Sequence, residues 1–107
     1  MFVCGSVSVS KAMRQFYHQQ KELSLSKQEF DLLFYLMQNP NQICTYEQIL
    51  ADVWGCQSSE QSDSKLIRLA LCRLRKKLDE HHVSSFAIVT IRGIGIYLKT
   101  FLQIETK

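Results

Sequence analysis

One segment sets the tightest limit on the fold, because it needs one side buried while its other side is strongly positive. This segment, SKLIRLALCRLRKKLDE, covers residues 64–80, and from Lys65 to Lys77 it holds six Lys or Arg and no acid. At about 100° per residue its apolar side chains share one arc of about 140°. These side chains are Leu66, Ile67, Ala70, Leu71, Leu74 and Leu78. The pattern predicts an amphipathic helix with a core face and a cationic face.

The residues before this helix predict a sheet followed by two other helices. FVCGSVSVS and KELSLS alternate in polarity, which favours short strands within residues 1–25. SKQE at Ser26 and TYEQ at Thr45 are capping boxes, each followed by apolar residues at helical spacing. Ser62 or Asp63 is the expected cap of the third helix, at 63–80. The three helices then occupy residues 26–80, with QIC as a bridging strand between the first two.

The C-terminal part predicts a β-hairpin over residues 86–104. FAIVTI and IYLKTFLQI are β-branched and aromatic runs, and RGIG between them supplies a glycine-rich turn. The order of sheet, three helices and hairpin predicts an α+β fold. Specifically, it predicts one winged helix-turn-helix domain over residues 1–107, with an N-terminal antiparallel sheet and a C-terminal hairpin wing.

Composition narrows the class of protein. The 107 residues are 46% hydrophobic with a net charge of +3, which suits one soluble domain. The four cysteines lie far apart and predict reduced thiols without a disulfide or metal site. No signal peptide and no long apolar run is present, so the cytoplasm is the expected location. The three histidines fall at polar positions expected to be exposed, without a nucleophile–base set, so we expect no enzyme, no cofactor and no small-molecule substrate.

The cationic face admits three interpretations. It is either a solvated face, a docking surface for an acidic protein partner, or a nucleic-acid surface. A solvated face normally mixes Glu with Lys at i, i+4 spacing. No Asp or Glu occurs between Lys65 and Lys77, which disfavours this interpretation. Double-stranded DNA is the favoured anion because its major groove admits an α-helix, whereas the major groove of RNA is too narrow. Leu69 on the flank of this face either contacts a thymine methyl or packs on the hairpin.

Arg92 at the tip of the predicted hairpin is the second cue. A lone Arg beside glycines suits insertion into a narrow minor groove. The alternative is an ordinary hairpin in which Arg92 is a polar, solvent-exposed tip residue without a ligand.

From Leu25 to Leu98 the chain resembles the OmpR/PhoB family of winged-helix DNA-binding domains. The matching motifs are LSKQEFDLLFYL, TYEQILADVWG, LCRLRKKL and VTIRGIG, in the family's order. The resemblance implies the output domain of a transcriptional regulator of the two-component type, bound to double-stranded DNA. It implies that the third helix is the recognition helix, with base contacts from this helix and the wing, and phosphate contacts around them. We expect the base contacts at Arg73, Arg92, Arg68 and Leu69, and the phosphate contacts at Trp54, Lys65, Arg75, Lys76 and Thr90.

Other expectations also come from the family. The loop from Gly55 to Ser62 corresponds to the segment that meets RNA polymerase in activators, and two copies are expected on repeated DNA half-sites. Trp54 has an alternative interpretation as a core aromatic that closes the second helix. The sequence departs from the family at Gly95-Ile96-Tyr97, and at Arg68 and Ala70 on the recognition helix. The DNA sequence that it reads therefore cannot be taken from a relative.

Overall fold

The protein folds as a sheet, three helices and a hairpin. The structure is a computed structural model that describes residues 2–4, 7–55, 61–100 and 105–106. The helices are α1 (Lys27–Gln38), α2 (Tyr46–Ile49) and α3 (Gln61–Glu80). The strands are β1 (Phe2–Cys4), β2 (Val7–Ser10), β3 (Gln15–His18), β4 (Lys21–Leu23), β5 (Cys44–Thr45), β6 (Ala87–Ile91), β7 (Gly95–Lys99) and β8 (Glu105–Thr106). This order confirms the predicted α+β winged-helix architecture.

The N-terminal sheet is antiparallel, with strand order β4-β3-β2-β1-β8. Its alternating pattern buries one face, as in β3, where Phe16 and His18 point inward. The expectation that His18 is exposed was wrong, because it shares the buried side of β3 with Phe16. Strand β8 was not predicted either. It pairs Thr106 with Phe2, and a two-residue strand carries no periodicity from which to recognise it.

Both predicted capping boxes are present. The Ser26 hydroxyl accepts from the Glu29 N–H at 3.2 Å, and the Ser26 N–H donates to Glu29 Oε1 at 3.4 Å. At Thr45 the same exchange with Gln48 has distances of 3.2 and 3.0 Å. These bonds satisfy N–H groups that a helix start leaves without a partner. The starts of α1 and α2 were therefore encoded locally.

The second helix changes its winding where the sequence predicted a plain α-helix. After Ile49 it continues as a π-helical turn over Leu50–Trp54, and the Gly55 N–H closes it on the Leu50 carbonyl. Gly55 has φ of 71°, a left-handed value that glycine adopts without a Cβ penalty. The Tyr35 hydroxyl donates to Asp52 Oδ2 at 2.8 Å, which joins this turn to α1. Such a contact between helices is invisible to a periodicity argument.

Helix α3 begins two residues earlier than predicted and buries a narrower face. It starts at Gln61, so Ser62 and Asp63 lie inside its first turn instead of capping it. Leu66, expected in the core, is 38% exposed. The buried arc is about 100° wide, since Leu66 falls outside the zone that the other helices cover. The core face consists of Ile67, Ala70, Leu71, Leu74 and Leu78.

The core lies between α1, α3 and the inner faces of both sheets. Its fully buried side chains include Leu32 and Leu36 of α1, Leu74 of α3, and Ile96 and Leu98 of β7. This packing holds α3 with its opposite side towards solvent. Every helix in the described ranges is too short or too polar to cross a bilayer.

Candidate nucleic-acid interface

The outer side of α3 presents four of its six cations to solvent. Lys65, Arg68, Arg73 and Lys76 are exposed, and Leu69 between them is 55% exposed. All five project away from the buried arc, because the core fixes the rotation of the helix about its axis. The result is a strip of positive charge with one apolar side chain in it. We call these five residues the outer strip.

Arg75 behaves differently from the outer strip. Its Nη2 donates to the Ile88 carbonyl at 2.8 Å and to Thr90 Oγ1 at 2.9 Å. The side chain is half-buried between α3 and β6. Both protons of Nη2 are therefore used within the protein. The phosphate contact expected of Arg75 stays a prediction, and the guanidinium has a structural task that the sequence did not reveal.

Lys77, the sixth cation, also turns inward. Its Nζ donates to both carboxylate oxygens of Glu29, with Oε2 at 3.1 Å. The Glu29 side chain is 2% exposed and that of Lys77 is 35% exposed. Burial alone would raise the pKa of Glu29, but the Lys77 and Ser26 hydrogen bonds together with the Lys77 charge bring it below its ordinary value. This ion pair connects α3 to α1.

The wing is a three-stranded sheet with order β5-β7-β6. The predicted hairpin is present, although β7 ends at Lys99 and residues 101–104 lie outside the described ranges. The Ile94 N–H donates to the Ile91 carbonyl at 3.0 Å and closes the turn, where Gly93 has φ of 78°. Arg92 is exposed at this tip, as predicted. The Tyr46 N–H, at the start of α2, donates to the Ile94 carbonyl at 3.3 Å and anchors the tip.

A groove of about 370 Å³ separates α3 from the wing. We call it the helix–wing groove. It brings together four predicted contact residues from two distant parts of the chain, Arg68 and Arg75 of α3 and Thr90 and Arg92 of the wing. Three guanidinium groups around one groove favour a ligand that carries phosphates. The groove is lined by Tyr46, Ile67, Arg68, Leu71, Cys72, Arg75, Thr90, Arg92 and Gly93.

The remaining predicted contacts lie elsewhere. Arg73, Lys65, Lys76 and Leu69 belong to the outer strip and do not line the helix–wing groove. Trp54 is half-buried and packs against the core, which fits its interpretation as a core aromatic. Of the loop from Gly55 to Ser62, residues 56–60 lie outside the described ranges, so the structure does not test its role.

Two further observations concern reactive side chains. Cys44 is buried and Cys72 is exposed, and both thiols are free. Burial is the main reason that the pKa of Cys44 is raised. No group of three or more metal-ligating side chains occurs among the residues that the structure places.

Comparison with known proteins identifies the family. A family model described as "Transcriptional regulatory protein, C terminal" matches residues 20–98. The chain is 37% identical over 91 residues to the uncharacterized transcriptional regulatory protein YkoG of Bacillus subtilis, which covers 85% of this chain and 39% of YkoG. It is 30% identical over 95 residues to the DNA-binding response regulator MtrA of Mycolicibacterium smegmatis, which covers 89% of this chain and 41% of MtrA. The chain thus spans about two fifths of the length of these relatives.

Solved structures agree with this assignment. The DNA-binding domain of Klebsiella pneumoniae RstA, solved in complex with the RstA box, has a TM-score of 0.75 and 26% identity, covering 91% of this chain and 94% of that one. The DNA-binding domain of Bacillus subtilis CssR has a TM-score of 0.71 and 28% identity, covering 87% and 99%. The family model covers well over half of the residues, and the fold is shared. This chain therefore belongs to the OmpR/PhoB-type family of C-terminal DNA-binding domains of transcriptional regulators.

Proposed function

We propose that the chain binds double-stranded DNA in a sequence-specific manner, with α3 in the major groove and the wing in the adjacent minor groove. The observation that carries this proposal is the convergence of Arg68 from α3 and Arg92 from the wing tip on one groove. A duplex offers phosphates on both sides of each groove, so two cationic elements that line one groove of the protein can engage it together.

Each exposed cation takes a role that its position allows. Arg73 reads a base by bidentate contact, as Arg does with guanine O6 and N7. Arg68 and Leu69 contact neighbouring base edges, and Arg92 enters the minor groove. Lys65, Lys76, Trp54 and the Thr90 hydroxyl contact phosphates, which sets affinity but not sequence.

The relatives support DNA binding by this chain. MtrA is named a DNA-binding response regulator, and the RstA domain was solved with its DNA box. We propose that two copies occupy repeated half-sites. We also propose that the loop from Gly55 to Ser62 meets RNA polymerase, and that the protein acts in the cytoplasm, where bacterial DNA is found.

The first experiment is a fluorescence-anisotropy titration with random-sequence duplex DNA at several salt concentrations. The parent should bind at low salt and weaken steeply as salt rises, because counterions are released from neutralised phosphates. The Arg73→Ala/Arg92→Ala double variant should lose most of this binding. The Lys21→Ala/Lys27→Ala double variant, which removes the same two positive charges at exposed positions outside the outer strip and the helix–wing groove, serves as a charge control.

The competing function is the docking of an acidic protein partner on the same cationic surface. It predicts no DNA binding by the parent even at low salt, and tolerance of Arg92→Ala. Retention of salt-dependent DNA binding by the double variant would move the interface away from Arg73 of the outer strip and from Arg92 of the helix–wing groove.

A further inference from the structure

We infer that Arg75 is a positioning residue that fixes the wing on the recognition helix and directs the Thr90 hydroxyl proton towards the DNA backbone. The inference rests on the proposed function and assigns Arg75 a task other than direct phosphate contact. It is drawn from one cluster of three residues, Arg75, Ile88 and Thr90.

The geometry ties α3 to the open edge of the wing. Strand β6 forms one edge of the order β5-β7-β6, and an edge strand has backbone groups that its sheet leaves unused. Arg75 Nη2 reaches the Ile88 carbonyl at 2.8 Å and Thr90 Oγ1 at 2.9 Å. One nitrogen thus forms hydrogen bonds to two residues of β6 that lie two positions apart. The planar guanidinium holds the two Nη2 protons at a fixed angle, so little freedom is lost when both bonds form.

The hydrogen-bond direction determines what Thr90 can do. A hydroxyl has one proton and two acceptor lone pairs. Because Arg75 has only protons to offer, Thr90 Oγ1 must accept from it, and its own proton must point elsewhere. Thr90 is exposed beside the helix–wing groove. The Thr90 hydroxyl is therefore set as a donor towards solvent, which suits a phosphate oxygen, and the neighbouring positive charge strengthens that donor.

Lys76 provides the contrast within the same turn. It carries the same charge one residue later, but it is exposed on the outer strip. Removal of Lys76 should cost affinity through its own phosphate alone. Removal of Arg75 should instead weaken the contacts that the wing makes through Thr90 and Arg92. The loss of DNA affinity on removal of Arg75 should therefore depend on the wing contacts, whereas the loss on removal of Lys76 should not.

Double-variant cycles on fluorescein-labelled random duplex DNA test this dependence. We expect Arg92→Ala to weaken binding by the same factor in the parent and in Lys76→Ala. In Arg75→Ala, the added loss from Arg92→Ala should be at least about fivefold smaller, a coupling in the range of residues that share one structural unit. In Thr90→Val, which lacks the hydroxyl that Arg75 holds, the added loss from Arg92→Ala should shrink in the same way. In Thr90→Ser, which keeps the hydroxyl, the added loss from Arg92→Ala should equal that in the parent.

Arg75→Lys separates position from charge. Lysine keeps the charge, but its Nζ is one bond closer to the backbone than Arg75 Nη2 and should not reach both acceptors, so this variant should lose most of the coupling to Arg92. Parent-like coupling in Arg75→Lys, or additive losses from Arg75→Ala and Arg92→Ala, would overturn the inference and leave Arg75 as an independent phosphate contact. Thermal melting confirms that each variant is folded before it is titrated.

A measurement without DNA keeps this inference distinct from the proposed function. Hydrogen exchange of the β6–β7 amides should accelerate in Arg75→Ala and Arg75→Lys but not in Lys76→Ala, because Arg75 is hydrogen-bonded to β6 whereas Lys76 is exposed on the outer strip. If the parent fails to bind DNA at low salt, the proposed function and the Thr90–phosphate contact both fall. Unchanged exchange in the Arg75 variants would overturn the positioning role by itself.

Discussion

Lys77 of α3 and Glu29 of α1 form an ion pair across the protein core, with both Glu29 oxygens bonded to Lys77 Nζ. Arg75 makes the corresponding link on the other side of α3, to the wing. The two residues lie at opposite edges of the buried arc of the helix. The recognition helix is therefore fixed on both sides by its own cations, and only the other four remain on the outer strip.

The ion pair predicts a dependence of stability on pH. The pKa of Glu29 in the folded protein lies below its ordinary value of 4.5, so the folded state favours the charged carboxylate. This contribution is fully present above pH 4.5 and is lost as the pH falls through the lowered pKa. Glu29→Gln should cost about 1–2 kcal/mol at neutral pH, while Gln still completes the capping box.

Urea unfolding followed by circular dichroism at several pH values measures this effect. The difference between the parent and Glu29→Gln should shrink as the pH falls below 4.5. Glu80→Gln, the same substitution at an exposed position, should leave the free energy of unfolding at neutral pH nearly unchanged and serves as the control. A Glu29→Gln deficit that is constant from neutral to acidic pH would contradict a stabilising charge on Glu29.

Lys77 and Lys76 are adjacent lysines for which we expect opposite effects. Lys77→Met should lower the free energy of unfolding by about 2 kcal/mol, at the lower end for a broken buried pair because Lys77 is 35% exposed. Lys76→Met should leave stability nearly unchanged but weaken DNA binding and reduce the salt slope by roughly 1. Urea unfolding measures the stability of both variants, and fluorescence anisotropy measures their DNA binding. Equal effects of the two substitutions in both assays would show that the structure has assigned the lysines wrongly.

Arg73 is expected to control sequence preference. Arg73→Ala should cost about 1–3 kcal/mol on a cognate duplex and relax the preference at one base pair. Selection from a random library with the parent supplies that duplex, and the same selection with Arg73→Ala reports the relaxed position. An equal loss of affinity on cognate and random DNA would make Arg73 a backbone contact instead.

Gly95 lies where β7 pairs with β5, and the close approach of the two backbones requires a residue without a side chain. A Cβ on Gly95 would lie 2.1 Å from the Cys44 carbonyl oxygen, which is backbone and cannot move aside without unpairing β5. Gly95→Ala should therefore cost about 3 kcal/mol or more. Gly93→Ala is the matched control, because its Cβ would meet nothing within 4 Å and only its positive φ is strained, at about 1 kcal/mol. Urea unfolding of both variants tests the ranking, and equal costs would contradict the close approach.

Much of this protein is determined by its sequence, because the determinants are local. The Ser26 and Thr45 capping boxes set where α1 and α2 begin, through bonds that span three residues. The helical period of α3 predicted its buried face except at Leu66, and the glycines near Arg92 predicted the wing turn. The family motifs predicted the DNA-binding class for the same reason, because each motif is a short continuous segment and the four follow one another in the family's order.

The tertiary structure decided what the periodicity could not distinguish. Six cations in one helix look alike in sequence, but Arg75 and Lys77 fall at the two edges of the buried arc, where the β6 edge and Glu29 lie within reach. Whether an edge position meets solvent or an acceptor depends on which elements flank the helix, and those elements come from distant parts of the chain. The π-helical turn after Ile49 and the pairing of β8 with β1 have the same origin. Local patterns therefore defined the helices and the wing, and packing between distant segments selected which charges remain on the outer strip.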